Sequence, residues 1–461
     1  MAFLKNVSLI LSIAALSPVI FTSTIRASTI IYQDVHQIQI VSGPRSNTTG
    51  QEATVFTQVV DVAKAPWIRL VFNSVHLDGN SYLKIKSIKD GSTQIHTARS
   101  LAEWENTTAY FNGSGVIVEL VAAPQSAGNF VEINQVITGD LVQPPQPAEP
   151  AKVCDSIDTR VQHNNPATAR LLITNSTKDP SYTSGCTGFI ISVAPNSDTT
   201  DRLMLSAGHC FEPGARHAVV QFDVPNSNTN CFLEHPGAVN QFYVNGDFLL
   251  AVSNGVGDDW AVFRCFKNSN TNKTIHQEQN AQFTMDTPAV SLAVRKYGYG
   301  VDGSANDPDS NWRHCWCVNG DSEATKSQTQ QTSTGTITAK TGNRVHHDIH
   351  TCGGDSGSPI AKDSDTTKVV AIHMAGNCDS IPPNSGTDVN HPNLQAAINS
   401  IKLGSFKRTP LLSSWGLIAL SLSLILTVFF VWHRRRKLSL PVALPFFLLV
   451  FALSFYLSSS I

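Results

Sequence analysis

The chain has 461 residues and a formal net charge of −2, with 15% of its residues charged. That balance gives no electrostatic footing for nucleic acid, whose binding rests on an excess of Lys and Arg over phosphates. The length suits two domains plus processing segments, and the sparse charge beside abundant Ser, Thr, Asn and Gln fits an exported β-rich protein better than a cytosolic helical one.

At the N-terminus, Lys5 precedes an apolar stretch from Val7 to Phe21, and a short polar region closes at Ala27. This is the layout of a cleavable signal peptide over residues 1–27. Residues 29–141 then carry short alternating runs, such as Trp67-Ile68-Arg69-Leu70-Val71-Phe72, Tyr82-Leu83-Lys84-Ile85-Lys86 and Gly115-Val116-Ile117-Val118-Glu119-Leu120, parted by Asp-Gly and Asn-Gly turns. Alternation with period two between turn residues predicts strands, and the unit reads as a β-sandwich. It gathers no cluster of acids, bases or metal ligands. An accessory for binding or folding is therefore expected there, with its partner unspecified. Asn106 and Asn112 open Asn-x-Ser/Thr acceptors that matter in a glycosylating host. Residues 142–153 contain Pro144-Pro145-Gln146-Pro147-Ala148-Glu149-Pro150, a proline-rich linker expected to be extended and to hold its flanking units apart.

Beyond the linker, over residues 154–404, three segments carry chemistry. A short apolar run, Leu203 to Leu205, delivers Ser206-Ala207-Gly208-His209-Cys210, which places a histidine in a turn. Imidazole changes charge near neutrality, which suits His209 to taking and returning a proton. In Gly257-Asp258-Asp259-Trp260-Ala261-Val262-Phe263 a carboxylate opens an apolar run that reads as a buried strand. Asp259 abuts that run and is the candidate to orient an imidazole, with Asp258 the alternative. The loop from Asp302 to Asp309 reads as turns, with calcium binding as its other reading. In Arg344-Val345-His346-His347-Asp348-Ile349-His350 three histidines lie close together. A zinc motif of this spacing needs a helix and a glutamate after the first histidine, whereas His347 stands there and the run reads as strand, so no metal is assigned. Next comes Thr351-Cys352-Gly353-Gly354-Asp355-Ser356-Gly357-Ser358-Pro359, with glycines crowded around one serine. Glycine permits turns closed to other residues, so the Ser356 hydroxyl projects while the amides of Gly354 and Ser356 face one hollow, an oxyanion hole. A hydroxyl becomes a nucleophile only with a base and an orienting group beside it, and His209 and Asp259 are the candidates.

The C-terminal tail is apolar from Trp415 to Trp432, basic at His433-Arg434-Arg435-Arg436-Lys437, and apolar again from Leu438 to Leu457. Residues 415–432 and 438–457 are each long enough for a transmembrane helix, and the basic cluster places their connection in the cytoplasm. The expectation is a membrane hairpin with the catalytic region outside, in the cell envelope or released to the medium.

The order His209, Asp259, Ser356 and the motifs Ala207-Gly208-His209-Cys210 and Gly354-Asp355-Ser356-Gly357-Ser358-Pro359 resemble those of the chymotrypsin-like (trypsin-like) serine peptidases of bacterial type, over roughly residues 154–400. The resemblance implies two β-barrels, a serine endopeptidase acting on proteins or peptides through an acyl-enzyme, and no cofactor. It also implies a bridge beside the catalytic histidine, Cys186 with Cys210, and one behind the nucleophile, Cys352 with Cys378. Cys231 with Cys265 is expected next, and Cys154 could then reach Cys315 or Cys317. Nine cysteines behind a secretion signal fit disulfides rather than metal ligands. In the resembled family the pocket floor lies six residues before the nucleophile, here at His350, where a trypsin-type pocket would carry Asp. Thr351 and the run Ile372-His373-Met374-Ala375-Gly376 resemble the glutamyl endopeptidases, which implies cleavage after Glu or Asp with Thr351 and His373 as selectors. The structural alternative is a pocket closed by His350 for a small or apolar side chain. Family members with aspartate at position 355 often pair it with a freed N-terminal amine, so a cut after Arg160 and a zymogen form are one expectation. Asp158-Thr159-Arg160 also resembles an uncut stretch of the glutamyl enzymes. Thr409-Pro410-Leu411 with Trp415-Gly416 resembles a bacterial sorting signal, departing from it at Ser414 and in the second apolar segment. The competing class is a catalytically silent scaffold used for adhesion, which usually lacks a member of the constellation; here none is missing.

Overall fold

The computed structural model describes residues 29–139, 152–153, 158–174, 182–194, 197, 200–211, 215, 217–228, 232–302, 313–314, 325–376 and 384–402. The expected signal segment, most of the linker, and both expected transmembrane spans lie outside these residues. Among the described residues no helix is long and apolar enough to cross a membrane.

Residues 29–139 form two antiparallel sheets. One pairs Thr29–Val41, Ser126–Gly139, Trp67–His76 and Phe111–Asn112; the other pairs Ala53–Asp61, Gly115–Ala122, Tyr82–Ser87 and Thr93–His96. Period-two alternation turns Leu83, Ile85, Val116, Val118 and Leu120 of one sheet and Ile68, Leu70 and Phe72 of the other into one shared core.

The second region is all-β. Six of its strands, Thr168–Thr174, Tyr182–Ile190, Leu203–Ser206, His217–Gln221, Gln241–Ser253 and Asp259–Cys265, close on themselves because Thr168–Thr174 pairs with Tyr182–Ile190 on one edge and His217–Gln221 on the other. A second ring of six comprises Ala293–Gly298, Gln331–Thr341, Arg344–His347, Pro359–Lys362, Lys368–Gly376 and Asn384–Asp388, closed by pairing of Gln331–Thr341 with Arg344–His347. These are the two barrels the resemblance implied. Between them, Phe189, Leu205, Trp260 and Val262 meet Tyr297, Val369 and Ile372, and the helix Pro392–Lys402 seals the seam with Leu394, Ile398 and Ile401, spaced to share one face.

The sandwich is not held away from the barrels. Strand Thr29–Val41 begins by pairing with the first barrel, Thr29 opposite Gly185 and Tyr32 opposite Tyr182, and only from Gln33 onward does it join its own sheet. Barrel strands explain why: Ala218 and Val220 face the barrel core while Val219 faces the sandwich, and Phe242 and Val244 face the core while Tyr243 faces out with Leu172 and Leu233. An apolar outer face must be covered, and each fully buried side chain of this kind is worth about 1.5–3 kcal/mol. Polar groups at the contact are matched as well. The Gln241 side chain accepts from the Tyr110 amide at 3.0 Å and donates to the Tyr110 carbonyl at 2.8 Å. Asn112 does the same with His235, accepting at 2.7 Å and donating at 2.8 Å. Asn112 is thus buried in this contact and not presented as a glycan acceptor.

Candidate active site

The cleft between the barrels receives its residues from three places. The first-barrel strand Leu203–Ser206 runs directly into the short turn Gly208–Cys210, and a disulfide from Cys186 to Cys210 ties that turn to the neighbouring strand. Strand Asp259–Cys265, buried throughout, starts at the carboxylate. Ser356 comes from the second barrel, on the turn before strand Pro359–Lys362.

These three side chains meet. His209 Nδ1 lies 2.5 Å from Asp259 Oδ2, the His209 amide donates to Asp259 Oδ1 at 2.8 Å, and His209 Nε2 lies 2.9 Å from Ser356 Oγ. With one carboxylate oxygen on the backbone amide and the other on the ring, the imidazole plane has little freedom to turn. All three residues are buried. Asp258 is engaged elsewhere: its Oδ1 accepts from Trp260 Nε1 at 2.9 Å and pairs with His391 at 3.1 Å, and its Oδ2 accepts from Asn254 at 3.0 Å.

Gly354 has φ +97°, and a Cβ there would lie 2.5 Å from Gln328 Nε2 and 2.6 Å from the Tyr299 carbonyl, so only glycine fits this turn. Its carbonyl accepts from Thr187 Oγ1 at 2.9 Å, and the Ser356 carbonyl accepts from the Thr187 amide at 2.8 Å. With both carbonyls turned to Thr187, the Gly354 and Ser356 amides meet no protein acceptor among the described residues. Two such donors side by side can hold a developing oxyanion.

Asp355, between these donors, has a lysine as its partner in the uncut chain. Its carboxylate lies 2.6 Å from Lys296 Nζ, and both side chains are fully buried. Arg160 is occupied as well: its guanidinium pairs with Asp158 at 2.6 Å and Asp302 at 3.2 Å and donates to the Val301 carbonyl at 2.8 Å. Burial raises the Asp158 carboxyl, but Arg160 outweighs this and brings it down to about 2. Asp302 is therefore committed to a guanidinium; residues 303–309 of the expected calcium loop lie outside the described residues.

Around the expected substrate pocket, Thr351 Oγ1 donates to Asn384 Oδ1 at 3.1 Å, and Gly376 sits against both residues. His350 is half-buried, its Nδ1 accepting from the Thr159 amide at 3.1 Å. His373 is fully buried on strand Lys368–Gly376, its Nδ1 3.2 Å from His347 Nε2. Burial, with Lys296 and His209 adding to it, pushes the His373 imidazole down to about 3, so the ring is neutral. The three histidines of the 344–350 stretch have different neighbours: His346 approaches Ser385, His347 approaches His373, and His350 approaches Thr159.

Cysteine pairing departs from expectation at one point. Cys265 is a free, buried thiol packed in the first barrel's core 3.8 Å from Met204 Sδ, so the Cys231–Cys265 bridge is not made. Its strand turns that side chain into the barrel, away from any surface segment. Cys352 is disulfide-bonded; Cys378, like Cys154, Cys231, Cys315 and Cys317, lies outside the described residues.

Sequence reasoning missed Thr187, Lys296 and Asn384. A threonine and a lysine within alternating strands carry no signal of their own, since burial against the serine turn arises only when the strands are assembled.

The trypsin family model matches residues 156–398. No curated protein sequence matches the chain. Among solved structures it is similar to a Glu endopeptidase in complex with MPD, at 17% identity and TM-score 0.39 over 54% of this chain and 100% of that one. A thermostable serine protease from an extremophilic microorganism matches at 16% identity and TM-score 0.36 over 51% of this chain and 95% of that one. An inactivated protease paralogue of the scabies mite matches at 11% identity and TM-score 0.36 over 55% of this chain and 100% of that one.

Proposed function

The chain belongs to the trypsin family, and from that premise we propose that it is a serine endopeptidase in which Ser356 is the nucleophile, His209 the general base and Asp259 the group that orients the base. The observation that carries this reading is the unbroken run of contacts from Asp259 Oδ2 through the imidazole to Ser356 Oγ, at 2.5 and 2.9 Å. Asp259 accepts the Nδ1 proton, which leaves Nε2 bare to take the proton of Ser356 as Oγ attacks the scissile carbonyl. The oxyanion settles against the amides of Gly354 and Ser356. The imidazolium then gives its proton to the leaving amine, an acyl-enzyme forms, and water admitted in place of the amine hydrolyses it by the same route. Exported, the enzyme acts on proteins or peptides outside the cytoplasm, with the tail as a membrane anchor.

For the residue before the scissile bond we propose Glu or Asp. If His347 Nε2 donates to His373 Nδ1, the His373 proton resides on Nε2, a buried atom with no acceptor among the described residues. A neutral imidazole with an idle N–H is a donor suited to a carboxylate, and Thr351 becomes a second when its hydroxyl leaves Asn384 Oδ1, to which it donates in the structure. The competing reading, a pocket for small or apolar side chains, draws on the same burial of His373. A peptide panel varied only at that position separates them: turnover faster with Leu or Phe than with Glu defeats the acidic preference. The enzyme reading itself is tested by Ser356→Ala, which should abolish both peptide cleavage and labelling by a fluorophosphonate. Undiminished cleavage by this variant refutes the assignment.

A further inference from the structure

We propose that Lys296 is the internal cation that keeps the oxyanion turn in its working shape, so that no cut within residues 154–402 is needed for activity. The inference rests on the serine-peptidase reading above and adds a positioning residue to it. Asp355 is the residue between the two amide donors, so wherever its side chain goes, the amides of Gly354 and Ser356 turn with it. In the structure that side chain is directed inward. Its Oδ2 meets Lys296 Nζ at 2.6 Å and accepts from the Cys352 amide at 2.9 Å, while its own amide donates to the Cys352 carbonyl at 3.0 Å.

The seat for this carboxylate is built by the strand that carries the lysine and by the turn after it. A Cβ on Gly298 would fall 2.3 Å from Asp355 Oδ1, and one on Gly300 would fall 2.7 Å from Asp355 Oδ2, so both glycines leave room for the carboxylate. Tyr299, between them, donates its amide to Thr187 Oγ1 at 3.0 Å, and that hydroxyl donates in turn to the Gly354 carbonyl. The strand thus grips the serine turn twice, through the Lys296 ion pair and through Thr187.

A newly freed amine at Val161 would find this place taken. Val161 is 57% exposed, and its strand Val161–Gln162 is already paired with Gln331 and Thr332. Arg160, the other cation near the seat, is committed to Asp158 and Asp302. Burial lowers the lysine pKa, Asp355 offsets part of that fall and Arg160 adds to it, so the 2.6 Å contact with Asp355 is the main support the ammonium has. Removing the ammonium leaves a buried charge uncompensated, a state that relaxes by swinging the carboxylate toward water and dismantling the turn.

Two arms test this with the exported full chain. In the first, intact mass and N-terminal sequencing establish which peptide bonds are whole, and peptide turnover is measured before and after acetylation of α-amines. Full activity from molecules uninterrupted across 154–402, unchanged by acetylation, is the expected result. Activity confined to molecules with a new α-amine in that region, and lost on acetylation, overturns the proposal. In the second arm, Lys296→Met should lower kcat by about 10²–10³-fold, the loss typical of a misplaced oxyanion donor, with KM little changed. Adding Asp355→Asn should recover part of the loss, because the stranded charge is gone. A lysine that merely fills space predicts additive effects instead. A folded Lys296→Met enzyme with kcat within about threefold of the parent refutes the proposal. Should that variant not fold, the first arm decides alone. A parent chain inactive toward peptides and fluorophosphonate, cut or uncut, removes the serine-peptidase premise and this inference with it, whereas activity only in the cut form removes this inference and spares the premise.

Discussion

Replacing Asp259 by Asn tests the orientation of the base with almost no change in shape. In the parent, one oxygen of Asp259 accepts from the His209 amide at 2.8 Å and the other lies 2.5 Å from Nδ1. An asparagine that keeps its oxygen on the His209 amide must turn its NH₂ toward Nδ1. Two N–H groups cannot face each other at that distance, so the imidazole moves its proton to Nε2. There, 2.9 Å from Ser356 Oγ, the ring becomes a donor where a proton acceptor is required. The loss of the correct tautomer in such a constellation is worth about 10⁴-fold in kcat, or about 5.4 kcal/mol at 1.36 kcal/mol per decade. Asp258→Asn is the matched control, since that carboxylate serves Trp260, Asn254 and His391 and has 30% of its side chain exposed. Its kcat should stay within about threefold of the parent. The assay is steady-state hydrolysis of a peptide, with the rate of fluorophosphonate labelling as a second readout and circular dichroism to verify folding. A kcat for Asp259→Asn within about tenfold of the parent, or a larger loss from Asp258→Asn, refutes the reasoning.

Removing residues 29–139 should leave a peptidase region that aggregates, because Leu172, Val219, Leu233 and Tyr243 lose their cover. At about 1.5–3 kcal/mol per buried side chain, the exposure rivals the 5–15 kcal/mol by which a domain is stable. Soluble expression and thermal melting of the truncated protein check this, and a truncated form that melts where the full chain does contradicts it. Stability should also fall in mild acid. Burial pushes the imidazoles of His96 and His373 down to about 3 and those of His235 and His347 well below their ordinary value of 6.5. The unfolded chain therefore binds more protons than the folded one below about pH 6.5, and each histidine removes about 1.4 kcal/mol per pH unit as pH falls toward its folded value. Urea midpoints at pH 7.5 and pH 5.5 report the trend; equal midpoints dispose of it.

Much of this protein was legible in its residues taken in order. Local chemistry carried that part: glycines that only a tight turn requires, a histidine and a carboxylate each set beside an apolar run, and alternating segments that predict strands. The serine turn follows from features a few residues long, whereas the two barrels and the Cys186–Cys210 bridge come only through the family resemblance that the order of the motifs carries. Other features are decided by what lies across a strand, which no local pattern records. Lys296 carries no signal in its own segment, and its pairing with Asp355 arises only once the serine turn closes over it. Cys265 reads as a bridge partner until its strand points it into the barrel beside Met204. The proline-rich linker suggested separated units, yet the outward faces of Val219 and Tyr243 require a cover and the sandwich supplies it. The identities of the reactive groups are thus local properties of the chain. Whether a given side chain meets water, a neighbouring sheet or a buried opposite charge depends on contacts between distant segments, and only the assembled structure sets those.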